Sequence, residues 1–287
     1  MLVIRGRDDG SVETLEHGAI GTRLGEGLEQ RGALTPAAEE RTLSAVASFV
    51  ERVRARDATL DAIATSAMRR AQGTEAFVGR LTALMGCELR ILEGDEEAAC
   101  SFRGATYSAP HDGRRRGVLD VGGGSTEFAA GTDGRLELTR SIEIGSVRLT
   151  ERFEDLAGGA PGTSARDAAA EARAFASELL APLREARPIA EVRCVAGTPL
   201  TIGAIALRST ANDVRHRELK RAQIDGVVTR LLELTLEERK AVPGMIAQRA
   251  DVLPAGGIIV SEALRLLACD VACLESDDLL LGFLLKS

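Results

Sequence analysis

Three consecutive glycines stand between an apolar run and a hydroxyl-carboxylate cluster in VLDVGGGSTEF (118–128). The octet from Asp120 to Glu127 limits the folds open to this chain more than any other feature. Val118 and Leu119 read as the end of a buried strand. Gly122, Gly123 and Gly124 permit positive φ and a close backbone approach, so that several N–H groups can converge on an anion. Ser125 adds a hydroxyl donor. A hairpin through the glycines would set Asp120, ending the incoming strand, beside Glu127, entering the outgoing one. Two carboxylates beside a bound phosphate suit Mg2+, which keeps several waters and takes one or two carboxylates with phosphate oxygens. Glycines alone make an ordinary tight turn; the Asp before and the Ser-Thr-Glu after turn the reading toward a phosphate loop. The spacing is not that of GxxxxGK[ST].

Around this loop strands and helices interleave, which predicts an α/β fold. Leu2 to Arg5 and Ser11 to Thr22 read as a hairpin about Asp8-Asp9-Gly10. Thr35 caps a helix with Pro36 in its first turn and Leu43, Val46, Val50 and Val53 on one face. A strand over Leu60 to Thr65, a helix over 73–86 and a strand over Cys87 to Leu92 follow. The second half reads as the glycine hairpin turning at Thr132-Asp133-Gly134, a surface loop over 156–166, a helix over 167–186 and a strand over Val192 to Ala196. Helical segments near 200–207, 221–240 and 255–268 complete it. At 287 residues the chain is long for one core and predicts two lobes, with the second beginning near residue 95.

Composition narrows the function. Apolar residues make up 45% and charged residues 28%, a globular balance. Aromatic content of 3% and a net charge of −7 disfavour a nucleic-acid partner, which would need stacking platforms and basic surface. The five cysteines form no CxxC pair and the three histidines are scattered, so no zinc spacing exists. An odd cysteine count and an N-terminus without a secretory pattern predict a cytoplasmic protein. No apolar run approaches the ~20 residues of a membrane span.

Two further segments carry chemistry. In EGDEEA (93–98) the acids Asp95 and Glu96 read as a solvated helix start, stabilised by the macrodipole. Glu97, at the expected lobe boundary, reads as a carboxylate able to orient and deprotonate water. In ATSAMRR (64–70) the hydroxyls of Thr65 and Ser66 and the guanidinium of Arg69 follow a strand, where α/β folds bind ligands. Arg69 can grip phosphate through two donors.

Together with TRLGEGL (22–28), SIEIGSVRLTERF (141–153), AGTPLTIGAIAL (196–207) and RADVLPAGGIIVSEAL (249–264), these segments resemble the exopolyphosphatase and guanosine pentaphosphate phosphohydrolase family over nearly the whole chain. The resemblance implies a two-domain actin-like ATPase (ribonuclease H-like) fold. Its lobes would be 1–94 plus 277–287, the first, and 95–276, the second, with substrate phosphates held between two loops across a cleft. It implies Glu97 as catalytic base, Asp120 and Glu127 as Mg2+ ligands and Arg69 as a phosphate contact. Gly197-Thr198 and Gly256-Gly257 stand where such folds bind adenosine. The implied partners are polyphosphate or guanosine pentaphosphate as substrate, with no nucleic acid and no membrane; assembly as a homodimer stays open.

Departures from the family pattern are expected to matter. Nothing matches the family's first strand and DIGSNS-like loop, which predicts an N-terminally incomplete chain of impaired turnover. Leu281-Gly282 stands where the family usually has arginine before glycine. A non-catalytic polyphosphate or alarmone sensor is the competing reading, supported by the basic run Arg208, Arg215, Arg217, Lys220 and Arg221. A kinase of the same fold is a third.

Overall fold

The computed structural model describes residues 1–159 and 161–285. Ala160, in the expected 156–166 loop, and residues 286–287, at the end of the expected 277–287 segment, lie outside the described residues. The chain divides into two compact units, Met1–Glu93 and one beginning at Gly94.

The first unit opens with the antiparallel strands β1 (Leu2–Gly6) and β2 (Val12–His17), joined through a turn in which Asp9 accepts from the Ser11 amide and hydroxyl. The extended segment stops at His17, short of Thr22. A one-turn helix α1 (Leu28–Arg31) precedes α2 (Pro36–Arg54), whose cap matches the sequence signal: Thr35 Oγ1 accepts from the Ala38 amide at 3.2 Å. Then come β3 (Ala62–Ala64), α3 (Ser66–Arg70), α4 (Glu75–Met85) and β4 (Leu89–Ile91). Leu43 and Val50 of α2 pack with Met68, Phe77, Leu81 and Met85 into this unit's core. β3 and β4 pair in parallel, so the four strands form two separate two-stranded sheets.

The second unit is built on six strands in the order β7-β6-β5-β8-β10-β9. It starts with α5 (Gly94–Thr106), followed by β5 (Arg115–Val121), β6 (Thr126–Thr132), β7 (Arg135–Ile142), α6 (Ser146–Arg152) and α7 (Thr163–Leu179). The helix expected over 167–186 therefore starts earlier and ends at Leu179, with a 3-10 turn after it. Next are β8 (Glu191–Val195), α8 (Gly197–Leu207), β9 (Glu218–Lys220) and α9 (Arg221–Leu232). The remaining elements are α10 (Leu236–Lys240), α11 (Leu253–Leu267), β10 (Val271–Leu274) and α12 (Leu279–Leu284). The span 221–240 is two helices because Thr235 caps a new one, its hydroxyl accepting from the Glu238 amide.

β5 pairs antiparallel with β6 and parallel with β8, and alternation divides the side chains between the two faces. Leu119, Val121, Phe128, Ala130, Val192 and Cys194 join the large core with α7, α8, α9 and α11. Val118, Ala129 and Val195 face the other way and pack with Ala98, Phe102 and Ala105 of α5. α12 packs on α5 so closely that a Cβ on Gly104 would overlap the Asp278 carbonyl and one on Gly282 the Cys100 carbonyl. That approach, which only glycine permits, accounts for Gly282. Arg103 Nη1 donates to the Gly282 carbonyl at 2.6 Å. Among the described residues no helix is long and apolar enough to cross a membrane.

Candidate active site

The glycine loop is the connection between β5 and β6. Val121 pairs with Thr126 and Asp120 with Glu127 across the ladder, and the Gly122 amide donates to the Ser125 carbonyl at 3.1 Å. The expected hairpin forms, but not for the expected reason. Gly122 and Gly123 do not take positive φ. Close approach excludes larger residues instead, since a Cβ would lie 3.2 Å from the Ser125 carbonyl oxygen at Gly122 and 3.3 Å from Val147 Cγ2 at Gly123.

The first turn of α6 closes on this loop. Ser146 N donates to the Gly122 carbonyl at 2.9 Å, while Val147 N and Arg148 N donate to the Gly123 carbonyl at 3.0 and 3.2 Å. Gly145 lies so near that its Cβ would overlap the Gly123 peptide. In a trans peptide C=O and N–H point in opposite directions. With the Gly122 and Gly123 carbonyls turned toward α6, the Gly123 and Gly124 N–H groups point away from it as a pair of donors. Only the motif SIEIGSV hinted at Gly145; its packing role is visible in three dimensions alone.

Alternation places Asp120 and Glu127 on the face covered by α5, where they are 8% and 1% exposed; Glu97, in the first turn of α5, is 6% exposed. Ser101, one turn beyond Glu97, donates from Oγ to Asp120 Oδ2 at 2.8 Å. Ser141 on β7 donates to Glu127 Oε1 at 2.8 Å, and the buried Ser125 hydroxyl also hydrogen-bonds Glu127. Ser125 is thus engaged with a carboxylate. Burial pushes the Asp120 carboxyl up to about 7, with the Ser101 bond opposing and the charges of Asp278 and Glu97 adding to the rise. Burial, then the charges of Glu97 and Asp120, push Glu127 up to about 8. Asp278, whose side chain accepts from the Leu280 amide at 3.0 Å as the cap of α12, had no sequence signal.

These groups fit a hard divalent cation. Buried carboxylates that repel each other are relieved by positive charge, and both offer oxygen, the donor Mg2+ prefers. Among the described residues no three Asp, Glu, His or Cys side chains converge closely enough to enclose a metal unaided.

Gly197 and Thr198 open α8 beside this loop. A Cβ on Gly256 would overlap the buried Thr198 and lie 3.3 Å from Ser146 Cβ, so α11, α8 and α6 meet next to the glycine turn. Gly257 is a packing glycine against Val228. The Arg249 guanidinium lies directly over Gly197, and burial lowers its pKa. Arg249 makes no side-chain hydrogen bond or ion pair among the described residues, and the sequence reading passed it over.

Thr65, Ser66 and Arg69 belong to the first unit. Thr65 precedes α3; the buried Ser66 Oγ has no hydrogen-bond partner among the described residues; Arg69 Nη1 donates to the Leu92 carbonyl at 2.6 Å. The basic run is partly neutralised: Arg215 pairs with Glu275 at 3.1 Å and with Asp277, and Arg221 with Asp270 at 3.3 Å.

A model of the Ppx/GppA phosphatase family matches residues 3–278. The chain belongs to this family. It is 34% identical over 257 residues to exopolyphosphatase 2 of Mycobacterium tuberculosis, covering 85% of this chain and 78% of the relative. It is 31% identical over 277 residues to the guanosine-5'-triphosphate,3'-diphosphate pyrophosphatase of Vibrio atlanticus, covering 94% of this chain but 53% of that protein, so it spans about half that relative's length. The fold matches the crystal structure of an exopolyphosphatase from Cytophaga hutchinsonii with a TM-score of 0.86 at 23% identity, over 99% of this chain and 92% of that one. The Aquifex aeolicus member of the Ppx/GppA family gives a TM-score of 0.80 at 23% identity, over 99% and 92%. The expected α/β fold is found, and it is the fold of these solved family members.

Proposed function

We propose that this chain is a phosphoanhydride hydrolase that releases terminal orthophosphate from inorganic polyphosphate, from the 5′-phosphate end of guanosine pentaphosphate, or from both. One observation supports the reading: Asp120 and Glu127 are paired across the ladder that the glycine loop closes, and the charge of Glu97 bears on both. The names of the Mycobacterium and Vibrio relatives support the same chemistry.

The Gly123 and Gly124 N–H groups would hold oxygens of the terminal phosphoryl group. Asp120 and Glu127 would hold Mg2+, which when bound neutralises charge on the transferring group. Glu97, fixed by the first turn of α5, would take the proton of the attacking water. Phosphoryl transfer rests on positioning and electrostatics more than on covalent chemistry, so a rigid buried carboxylate and preset amides are the contribution required of the protein. Five free cysteines support a reducing, cytoplasmic setting.

The test is orthophosphate release from long-chain polyphosphate, guanosine pentaphosphate and ATP with Mg2+ present. Release from either of the first two well above ATP is the expected result. Binding of polyphosphate or guanosine pentaphosphate with no release would overturn it.

A further inference from the structure

We propose that Ser101 and Ser141 are positioning residues that fix which oxygen of Asp120 and of Glu127 is presented to the phosphate-bound cation. The proposal rests on the reading of these two carboxylates as cation ligands. Each serine holds one oxygen of its partner, Ser101 taking Asp120 Oδ2 and Ser141 taking Glu127 Oε1, both at 2.8 Å, and the Ser125 hydroxyl of the glycine loop adds a second bond to Glu127. The two hydroxyls arrive from different elements. Ser101 is 1% exposed on α5, while Ser141 sits directly opposite Glu127 in the β6–β7 register.

Repulsion among Asp120, Glu127 and Glu97 would otherwise drive the carboxylates to turn away from one another. A donor is needed to hold them. An arginine or lysine would do this at the cost of the site's purpose, because its charge would satisfy the carboxylates and compete with the cation. A hydroxyl orients without adding charge.

The behaviour of Ser101 separates positioning from incidental packing. A serine inside a helix commonly bonds the carbonyl four residues back. Thr106 on the same helix does so, donating to the Phe102 carbonyl at 2.7 Å. Ser101 donates across to β5 instead. Since it lies one turn from Glu97, a single bond sets the helix carrying the base against the strand carrying a ligand. Partners of this kind orient first ligands in metal sites, and their loss typically weakens metal affinity by ~10–100-fold.

The experiment measures Mn2+ binding to the full chain by the free-ion EPR signal with inorganic phosphate present, alongside the metal-free melting temperature, for wild type, Ser101→Ala, Ser101→Thr and Ser141→Ala. Both alanine variants are expected to lose about 10–100-fold in Mn2+ affinity, and Ser101→Thr, which keeps the hydroxyl, to recover most of it. Ser141→Ala, at a half-buried site, carries the test should Ser101→Ala melt below the working temperature. If wild type binds Mn2+ and the folded alanine variants bind it equally, the positioning role is wrong while the cation reading stands. If wild type takes up no Mn2+, the cation reading falls and this inference with it.

Discussion

Asp120 and Glu127 occupy one register position of the β5–β6 ladder, so two buried carboxylates stand directly across from each other. Like charges so placed destabilise a sheet, and both carboxyls have pKa values raised to about 7 and about 8. The folded protein therefore holds protons that the unfolded chain has released once the pH passes the ordinary carboxylate range. Stability is unpenalised below that range, falls as pH rises toward about 8, and levels off above it. Metal-free melting temperature is expected to drop between about pH 5 and about pH 9, with Mg2+ restoring it at the alkaline end. Asp120→Asn and Glu127→Gln should flatten the drop and shift the Mg2+ requirement of turnover upward. A large loss of metal-free stability in these variants would mark the carboxylates as structural.

Glu97→Gln keeps the shape of the side chain and removes its ability to accept a proton. A base acts in the chemical step and contributes little to ground-state binding. Orthophosphate release should be abolished while affinity for guanosine pentaphosphate, measured calorimetrically, stays within a few-fold. A parallel loss of affinity and rate would make Glu97 a ligand-holding residue instead.

What the sequence disclosed was what local chemistry decides. The Thr35 cap and the hairpin around Gly122, Gly123 and Gly124 depend on residues a few positions apart, and both were readable. Ser101 was not, because a serine in a helix looks the same whether it bonds its own helix or Asp120. Ser141 acquires meaning only once the β6–β7 register sets it opposite Glu127. The short β9 and β10 escaped notice because three or four residues carry too little periodicity to show. The glycine loop was readable, but the close approaches to Ser125 and Val147 that exclude larger residues at Gly122 and Gly123 are tertiary and were not.

Two glycines separate site from scaffold. A Cβ on Gly145 would overlap the Gly123 peptide, so Gly145→Ala must displace the glycine loop. Turnover should fall by ~10²-fold, the effect of a misplacement of about 1 Å, with a smaller effect on melting. A Cβ on Gly282 would overlap the Cys100 carbonyl where α12 meets α5. Gly282→Ala should destabilise by about 1–3 kcal/mol or more, as overpacking does, visible in urea unfolding. The opposite ranking of the two variants would contradict the placement of both residues.

Arg249 offers the clearest separation of stability from function. Its guanidinium lies over Gly197 at the start of α8, burial lowers its pKa, and no anion among the described residues balances it. A half-buried cation without a partner is a stability liability unless a ligand completes it. Arg249→Met retains much of the apolar stem and removes the charge. Without ligand its melting temperature should match or exceed that of wild type, because the uncompensated charge is gone. With guanosine pentaphosphate or tripolyphosphate added, wild type should gain stability and the variant much less. In turnover the loss should fall on KM before kcat, as expected for a group that holds substrate away from the reacting phosphorus. A lower melting temperature in the absence of ligand, with ligand-induced stabilisation intact, would show that Arg249 acts through packing of its stem and holds no anion.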